Sequence, residues 1–372
     1  MNRKKLLIVT PGYLPLLGGM EEQCYLLAQE ALRRGIGVDV ITERTSSNLS
    51  KFENMDGVRV FRLAGPRSSW LFYFSYAVEL TKFLYKKQHD YSFSIIRTFT
   101  FPSLVIGLLK ITRLVKLPTI VSADTGGEGD ELLVIRRSWL CPLFIQLLRG
   151  HNKYNALCAS NLEHMNTLGF EPKKITRIYN GLDATTYQQS IFPSSIKTFL
   201  FLGQLRKEKG LGELLEAFKR LVDEGRTVRL RIAGDGPYMK QLQSLVETAG
   251  LESRIDVLGR ISRMERDDFL ESGDCLILPS YSEGFSLVVG EAMLKKRYVI
   301  CSDVADFKRF YGDSIYFCNK KDTKDLYRVM RRLIDSPPKQ DITAYNNIAS
   351  RLSIHFTFDE FMEKFPHQSP DL

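Results

Sequence analysis

The chain has 372 residues, 44% of them hydrophobic and 26% charged, with a formal charge of +9. That length exceeds one ordinary core and suits two domains of about 150 to 200 residues, while the composition is that of a soluble globular protein rather than a disordered or fibrous one. No stretch reaches the roughly 18 uninterrupted apolar residues of a membrane span. Six cysteines (Cys24, Cys141, Cys158, Cys275, Cys301, Cys318) stand far apart with no C-x-x-C pair, as free thiols of a reducing cytosol would. The expectation is a cytoplasmic protein, free or peripheral on the cytoplasmic face of the membrane.

Arg3-Lys4-Lys5 followed by Leu6-Leu7-Ile8-Val9 imitates a secretory leader, but the apolar run stops at Pro11 without a clear small-residue cleavage site. A first strand buried on both faces, over 5–10, explains it better. A loop then leads to a helix from Gly19 to Arg34. Gly18 and Gly19 at its start would let phosphates approach the backbone with no Cβ in the way, although most Gly-Gly pairs only make a turn. Strand-like runs recur at 37–42, 58–63, 94–98, 118–123, 155–159 and 174–179, mostly with helical patterns between them, which argues a doubly wound parallel sheet.

Residues 1–185 hold 24 Lys and Arg against 16 Asp and Glu, and residues 186–372 hold 28 against 27, so the basic excess belongs to the first half. Trp70 to Lys87 is aromatic-rich and ends basic, and Leu104 to Lys116 is so to a lesser degree. Each reads as a crossover helix covering the sheet or as an amphipathic face for an anionic membrane surface. No zinc-finger spacing and no aromatic-basic RNP-like strand is present, which argues against nucleic acid. The loop Ser122 to Glu131 is acidic and glycine-rich, unusual for a mere connector, and Asp124 is its first acid. It lacks the twelve-residue ligand pattern of a calcium loop.

A second sheet begins at Phe199-Leu200-Phe201-Leu202 and runs into Gly203-Gln204-Leu205-Arg206-Lys207-Glu208-Lys209-Gly210. Three cations framed by glycines before a helix at 211–222 read as a phosphate clamp, or as a charged helix start. Leu230 to Ala233 with Gly234-Asp235-Gly236-Pro237 gives a strand and tight turn, and Ile255 to Arg260 a strand end whose Arg260 would meet a nucleotide base. Cys275 to Leu278 is a strand, followed by a loop and a helix from Leu287. The Phe285, Ser286 and Leu287 amides at that helix start are candidate donors to phosphate or sugar oxygens. Glu283 lies before the helix and Glu291 about one turn inside it, where it can accept from a vicinal diol such as ribose. Two solvated glutamates on a surface turn are the plain alternative.

Company decides between these readings. Glu283 and Glu291, in E-x7-E spacing and led in by Leu-Pro-Ser-Tyr-Ser, resemble the signature of the retaining nucleotide-sugar glycosyltransferases of the GT-B fold, family 4 (glycosyl transferases group 1). Pro15-x-x-Gly18-Gly19-x-Glu21 resembles that family's first loop, and Ile178-x-Asn180-Gly181-x-Asp183 the segment that ends its first domain. The resemblance implies two doubly wound Rossmann-like α/β domains facing a cleft. It puts an acceptor-side domain at 1–185, a nucleotide-sugar donor domain at 186–344 after a polar linker, and a helix over about 345–372 crossing back to the first domain. It implies sugar transfer from a nucleotide-diphosphate sugar to a hydroxyl acceptor with retention, in cell-surface polysaccharide or glycolipid synthesis. The acceptor would be free or lipid-linked, and neither metal nor cofactor is implied. Glu283 and Asp124 are then the candidate catalytic residues, and Gly18, Gly19, Arg206, Lys209, Arg260, Phe285, Ser286, Leu287 and Glu291 the candidate donor-binding ones.

The sequence departs from the pattern in three places. Asp124 stands about where much of the family has a histidine, Gln204 where relatives usually have Arg, with Arg206 a stand-in, and Val304-Ala305-Asp306 where a Gly-Gly pair is frequent. These departures keep a second reading open, a non-catalytic sugar-nucleotide-binding or partner subunit, and a third, a nucleotide-sugar 2-epimerase of the same fold.

Overall fold

A strand buried between two layers of helices must be apolar on both faces, and Leu6, Leu7, Ile8 and Val9 are all inaccessible to solvent. They form the centre of the first of two units in the computed structural model, which describes residues 5–16, 18–64, 71–126, 129–184, 191–304, 306–337 and 341–365. Trp70, Glu128, Ala305 and part of the expected linker lie outside the described residues. The chain divides into Met1–Gly181 with Ile354–Leu372, and Leu182–Ser353.

In chain order the first unit contains β1 Lys5–Val9, α1 Gly19–Arg33, β2 Val38–Glu43, β3 Phe52–Met55, β4 Val58–Leu63, α2 Phe72–Lys87, β5 Tyr91–Ile96, α3 Phe101–Ile111, β6 Thr119–Ser122, α4 Glu131–Arg137, α5 Cys141–Leu148, β7 Lys153–Asn155, α6 Ala159–Thr167 and β8 Ile175–Thr176. Among the described residues these strands form one sheet in the order β3-β4-β2-β1-β5-β6-β7-β8. Every pairing is parallel except β3 with β4, an antiparallel edge that the sequence reading missed because Phe52-Glu-Asn-Met is short and mostly exposed. Asp39, buried in β2, locks the register by accepting from Arg59 Nε of β4 at 2.8 Å and from the Tyr91 hydroxyl of β5 at 2.6 Å. β7 and β8 are shorter than the expected runs at 155–159 and 174–179. Asn161 caps α6 by accepting from the Cys158 amide at 3.1 Å, so the helix starts where the strand was expected to continue.

The second unit runs β9 Thr198–Leu202, α7 Leu211–Asp223, β10 Arg229–Ala233, α8 Met239–Thr248, β11 Ile255–Gly259, α9 Arg263–Glu271, β12 Cys275–Leu278, α10 Leu287–Leu294, β13 Tyr298–Ser302, α11 Phe307–Tyr311, β14 Tyr316–Cys318, α12 Thr323–Asp335 and α13 Ile342–Arg351. Its described strands are all parallel, in the order β11-β10-β9-β12-β13-β14, which is the doubly wound order 3-2-1-4-5-6.

One helix over about 345–372 was the sequence expectation, and among the described residues the chain makes two. α13 stays in the second unit, where the Tyr345 hydroxyl donates to Leu294 O at 2.7 Å. The break falls where Leu182 N donates to Leu352 O at 2.6 Å and Leu182 bridges Ser353. α14 Ile354–Glu363 belongs to the first unit, with Ile354, Phe358 and Phe361 in the same core as Leu6, Ile8 and Leu27. His355 and Arg34 both meet the buried carboxylate of Glu30 on α1, at 2.6 Å each.

Candidate functional site

In an open doubly wound sheet, ligands bind outside the carboxyl ends of the strands where the strand order reverses. That point lies between β9 and β12 in the second unit, and the loops leaving those strands are 203–210 and 279–286. Gly210 brings them together: it has φ 69°, and the Pro279 carbonyl occupies the space a Cβ would need. Lys209 Nζ then donates to Glu283 Oε1 at 2.6 Å, and Ser280 Oγ donates to the same oxygen at 2.7 Å. Gly234 and Gly236 press equally close to the carbonyls of Gly203 and Leu205 and shape the neighbouring rim.

The other residues singled out from the sequence are distributed unevenly around this pair. Phe285 turns its ring into the core against Phe310, ring centroids 5.1 Å apart, which leaves the backbone of 285–287 as its contribution. Ser286 caps α10 and Leu287 begins it, so the first amides of that helix lie beside Glu283 in the chain. Glu291 is 4% exposed, one turn into α10, and accepts from Arg266 Nη1 of α9 at 2.8 Å. Arg206 and Arg260 are exposed, and Arg206 faces Glu208 at 3.6 Å rather than Glu283. Arg266 was missed, although the capping box of Ser262 and Glu265 in front of it is a legible helix start.

The first unit reverses its strand order between β1 and β5. Gly18 caps α1, and the space a Cβ would take at Gly18, as at Gly12, is filled by the Glu21 carboxylate. The chain's own acid stands where a phosphate was expected to approach. Gly19 is the exposed first residue of the helix.

Of the acids in the loop after β6, Asp130 and Glu131 are internal braces rather than ligand-facing groups. Asp130 caps α4 by accepting from Leu132 N at 2.9 Å, and it also accepts from Asn161 Nδ2 at 2.8 Å and meets His164 Nδ1 at 2.7 Å. Glu131 accepts from Phe99 N at 2.8 Å and Thr98 Oγ at 2.7 Å. Asp124 keeps a 22% exposed side chain and lies 3.8 Å from Arg97, the residue that follows β5. Burial pushes its carboxyl up to about 6, the Arg97 cation opposes that, and Glu21 adds to it.

Burial likewise raises Glu131 to about 7 from the ordinary 4.5. Between those values the folded chain holds a proton that the unfolded chain has lost, so the stability contributed by this group is present at low pH and lost as pH rises through about 7. Glu131→Gln keeps an acceptor for Phe99 N and should therefore raise the melting temperature, relative to the parent chain, more at pH 8 than at pH 5. An equal shift at both pH values would refute the assignment.

Two doubly wound sheets, each with charged side chains gathered at its switch point, define a two-domain α/β protein. Two family models match end to end, "Glycosyltransferase Family 4" over residues 17–186 and "Glycosyl transferases group 1" over 184–349. An uncharacterized glycosyltransferase of Methanocaldococcus jannaschii is 27% identical over 81% of this chain and 80% of its own length. Alpha-monoglucosyldiacylglycerol synthase of Streptococcus pneumoniae is 23% identical over 90% of this chain and 80% of its own. Among solved structures, sucrose-phosphate synthase of Thermosynechococcus elongatus superposes with TM-score 0.75 at 16% identity, covering 97% of this chain and 98% of that one. Anabaena HepE in complex with UDP does so with TM-score 0.73 at 18% identity, covering 96% and 98%. The chain is a glycosyltransferase of GT-B type.

Proposed function

We propose that this protein transfers a sugar from a nucleotide-diphosphate sugar to a hydroxyl acceptor with retention at the anomeric carbon. The observation that carries the reading is the Lys209–Glu283 pair at the switch point of the second unit, next to the start of α10. As the sugar–phosphate bond breaks, positive charge develops on the ring and negative charge on the departing diphosphate, so stabilising both is the main task. Lys209, Arg206 and the amides of 285–287 answer the diphosphate, Glu283 holds the sugar, and Glu291, steadied by Arg266, accepts from the ribose. No metal ion is part of this reading. HepE, a neighbour in fold, has been solved with UDP and with UDP-glucose, which supports a nucleotide-sugar donor.

A panel of nucleotide sugars assayed for hydrolysis and transfer, with the anomeric configuration of the product read by NMR, tests the proposal. Turnover with inverted configuration would remove retention. A folded protein that binds a donor and never turns it over would replace the reading with the non-catalytic subunit.

A lipid-linked acceptor at an anionic membrane fits the surface of the first unit, and a relative named as a glycolipid synthase points the same way. α2 buries Phe72, Tyr76, Leu80 and Leu84, an unbroken i, i+4 stripe, and leaves Tyr73, Phe74 and Tyr85 outside, Phe74 at 71% exposure. Lys82, Lys86 and Lys87 share that helix, and Trp139, 87% exposed, follows Arg136 and Arg137. Among the described residues no helix is long and apolar enough to cross a membrane. The protein should float with anionic liposomes and release as salt rises. Absence of salt-sensitive binding to anionic liposomes would return the reading to a soluble acceptor.

A further inference from the structure

Arg97 follows β5 directly, beside the central strand β1, and its side chain is 1% exposed. Nη1 donates to Ser122 Oγ and Nη2 to Asn180 Oδ1, both at 3.0 Å. Nη2 also lies 3.8 Å from Asp124 Oδ1, while Nε has no hydrogen-bond partner. A guanidinium keeps its charge under all ordinary conditions. A permanent cation is therefore buried at the reversal of the strand order, and Asp124 is the carboxylate placed against it. Among the described residues, the other titratable groups that interact with Asp124 are Glu21 and Cys24 of α1 and Glu131 of α4. The carboxyls among them act against its ionisation.

We propose that Arg97 is a positioning residue that fixes Asp124 as an aimed carboxylate at the first unit's switch point and ties it, through Asn180, to the end of the segment that closes that unit. The proposal rests on the reading of Asp124 as a substrate-facing group. An ionised Asp124 accepts hydrogen bonds from substrate hydroxyls on both oxygens, whereas a protonated one must donate from one of them. Burial and the Glu21 charge favour the protonated form, and Arg97 opposes them. Removing a cation at this range shifts a carboxyl upward by about 1–3 units. Arg97 thus sets the pH above which Asp124 works, without itself touching substrate.

The test is the pH dependence of kcat for donor turnover by the full chain, with donor KM measured alongside. The parent chain should lose kcat on the acid side around pH 6, and Asp124→Asn should remove that limb. Arg97→Gln should move the limb upward by about 1–3 units and cut kcat at pH 7 by about twofold for a shift of one unit and about tenfold for two, with donor KM nearly unchanged and kcat recovering at higher pH. Arg97→Lys, which keeps the charge, should leave the limb near its original place. In the double variant with Asp124→Asn, Arg97→Gln should cost nothing further. A merely structural Arg97 would lower the melting temperature and the active fraction and leave the limb where it was. Should Arg97→Gln fail to fold, Asn180→Asp, which offers Nη2 a competing carboxylate, must move the limb the same way.

A limb that stays in place in all of these, or losses that add in the double variant, overturns the proposal alone. If Asp124→Asn keeps the parent profile, or the parent chain shows no turnover of any donor, the reading of Asp124 falls, and this proposal with it.

Discussion

Glu283→Gln should lower kcat roughly 10²-fold, the scale on which a preorganised group aimed at developing charge is worth its place, while the melting temperature hardly moves. The amide retains an oxygen that can accept from Lys209 Nζ and Ser280 Oγ, so the loops 203–210 and 279–286 stay joined. What disappears is the negative charge that faces the sugar as its ring becomes cationic. Lys209 keeps that acceptor but loses the opposing charge, which leaves its cation less neutralised for the diphosphate, so donor affinity should hold or rise slightly. That split between kcat and affinity separates a charge role from a brace: a brace would cost stability and affinity together. Parent turnover in a correctly folded Glu283→Gln chain would remove Glu283 from the mechanism.

Glu291→Ala should weaken donor binding by about 10- to 150-fold, the equivalent of about 1.5–3 kcal/mol for a hydrogen bond to a charged group, and Glu291→Gln by less. The carboxylate is nearly inaccessible and already held by Arg266 at 2.8 Å. A carboxylate so fixed loses little side-chain entropy when it accepts from a diol. Truncation also leaves the Arg266 cation without this partner, so part of the loss belongs to the arginine. Arg266→Ala measured alongside apportions the two, because coupled residues give non-additive losses. Calorimetric affinity for a nucleoside diphosphate equal to that of the parent chain, in folded Glu291→Ala, would sink the ribose assignment.

Much of the site was legible because its parts are local. Glu283, the 285–287 amides and Glu291 lie on one strand-loop-helix segment, so their spacing alone puts them near one helix start. Arg97 and Arg266 were passed over for the opposite reason. Each matters through a partner distant in the chain, Asn180 being 83 residues from Arg97 and Glu291 being 25 from Arg266. A charged residue straight after the apolar strand end Ile95-Ile96 was the available signal for Arg97. For Asp130 and Glu131 the composition of the loop misled: it looked unusual for a mere connector, yet these two acids are used up by Leu132, Asn161 and Phe99.

By itself the sequence determined the parallel sheets, since a strand covered on both faces has to be an unbroken apolar run such as Leu6–Val9 or Cys275–Leu278. It carries some helix starts too, through caps such as Ser262, Asp322 and Asp341, and the i, i+4 stripe of α2. Strand order was beyond it, because periodicity reports which face is buried and is silent about which strand lies alongside. That order decides which loops leave the sheet together, and so the meeting of Lys209 with Glu283 and of Arg97 with Asp124 was settled only in the folded chain. The final helix was divided at the same level: a continuous helical pattern gave way at Leu352 and Ser353 because pairing with Leu182 satisfied the backbone there.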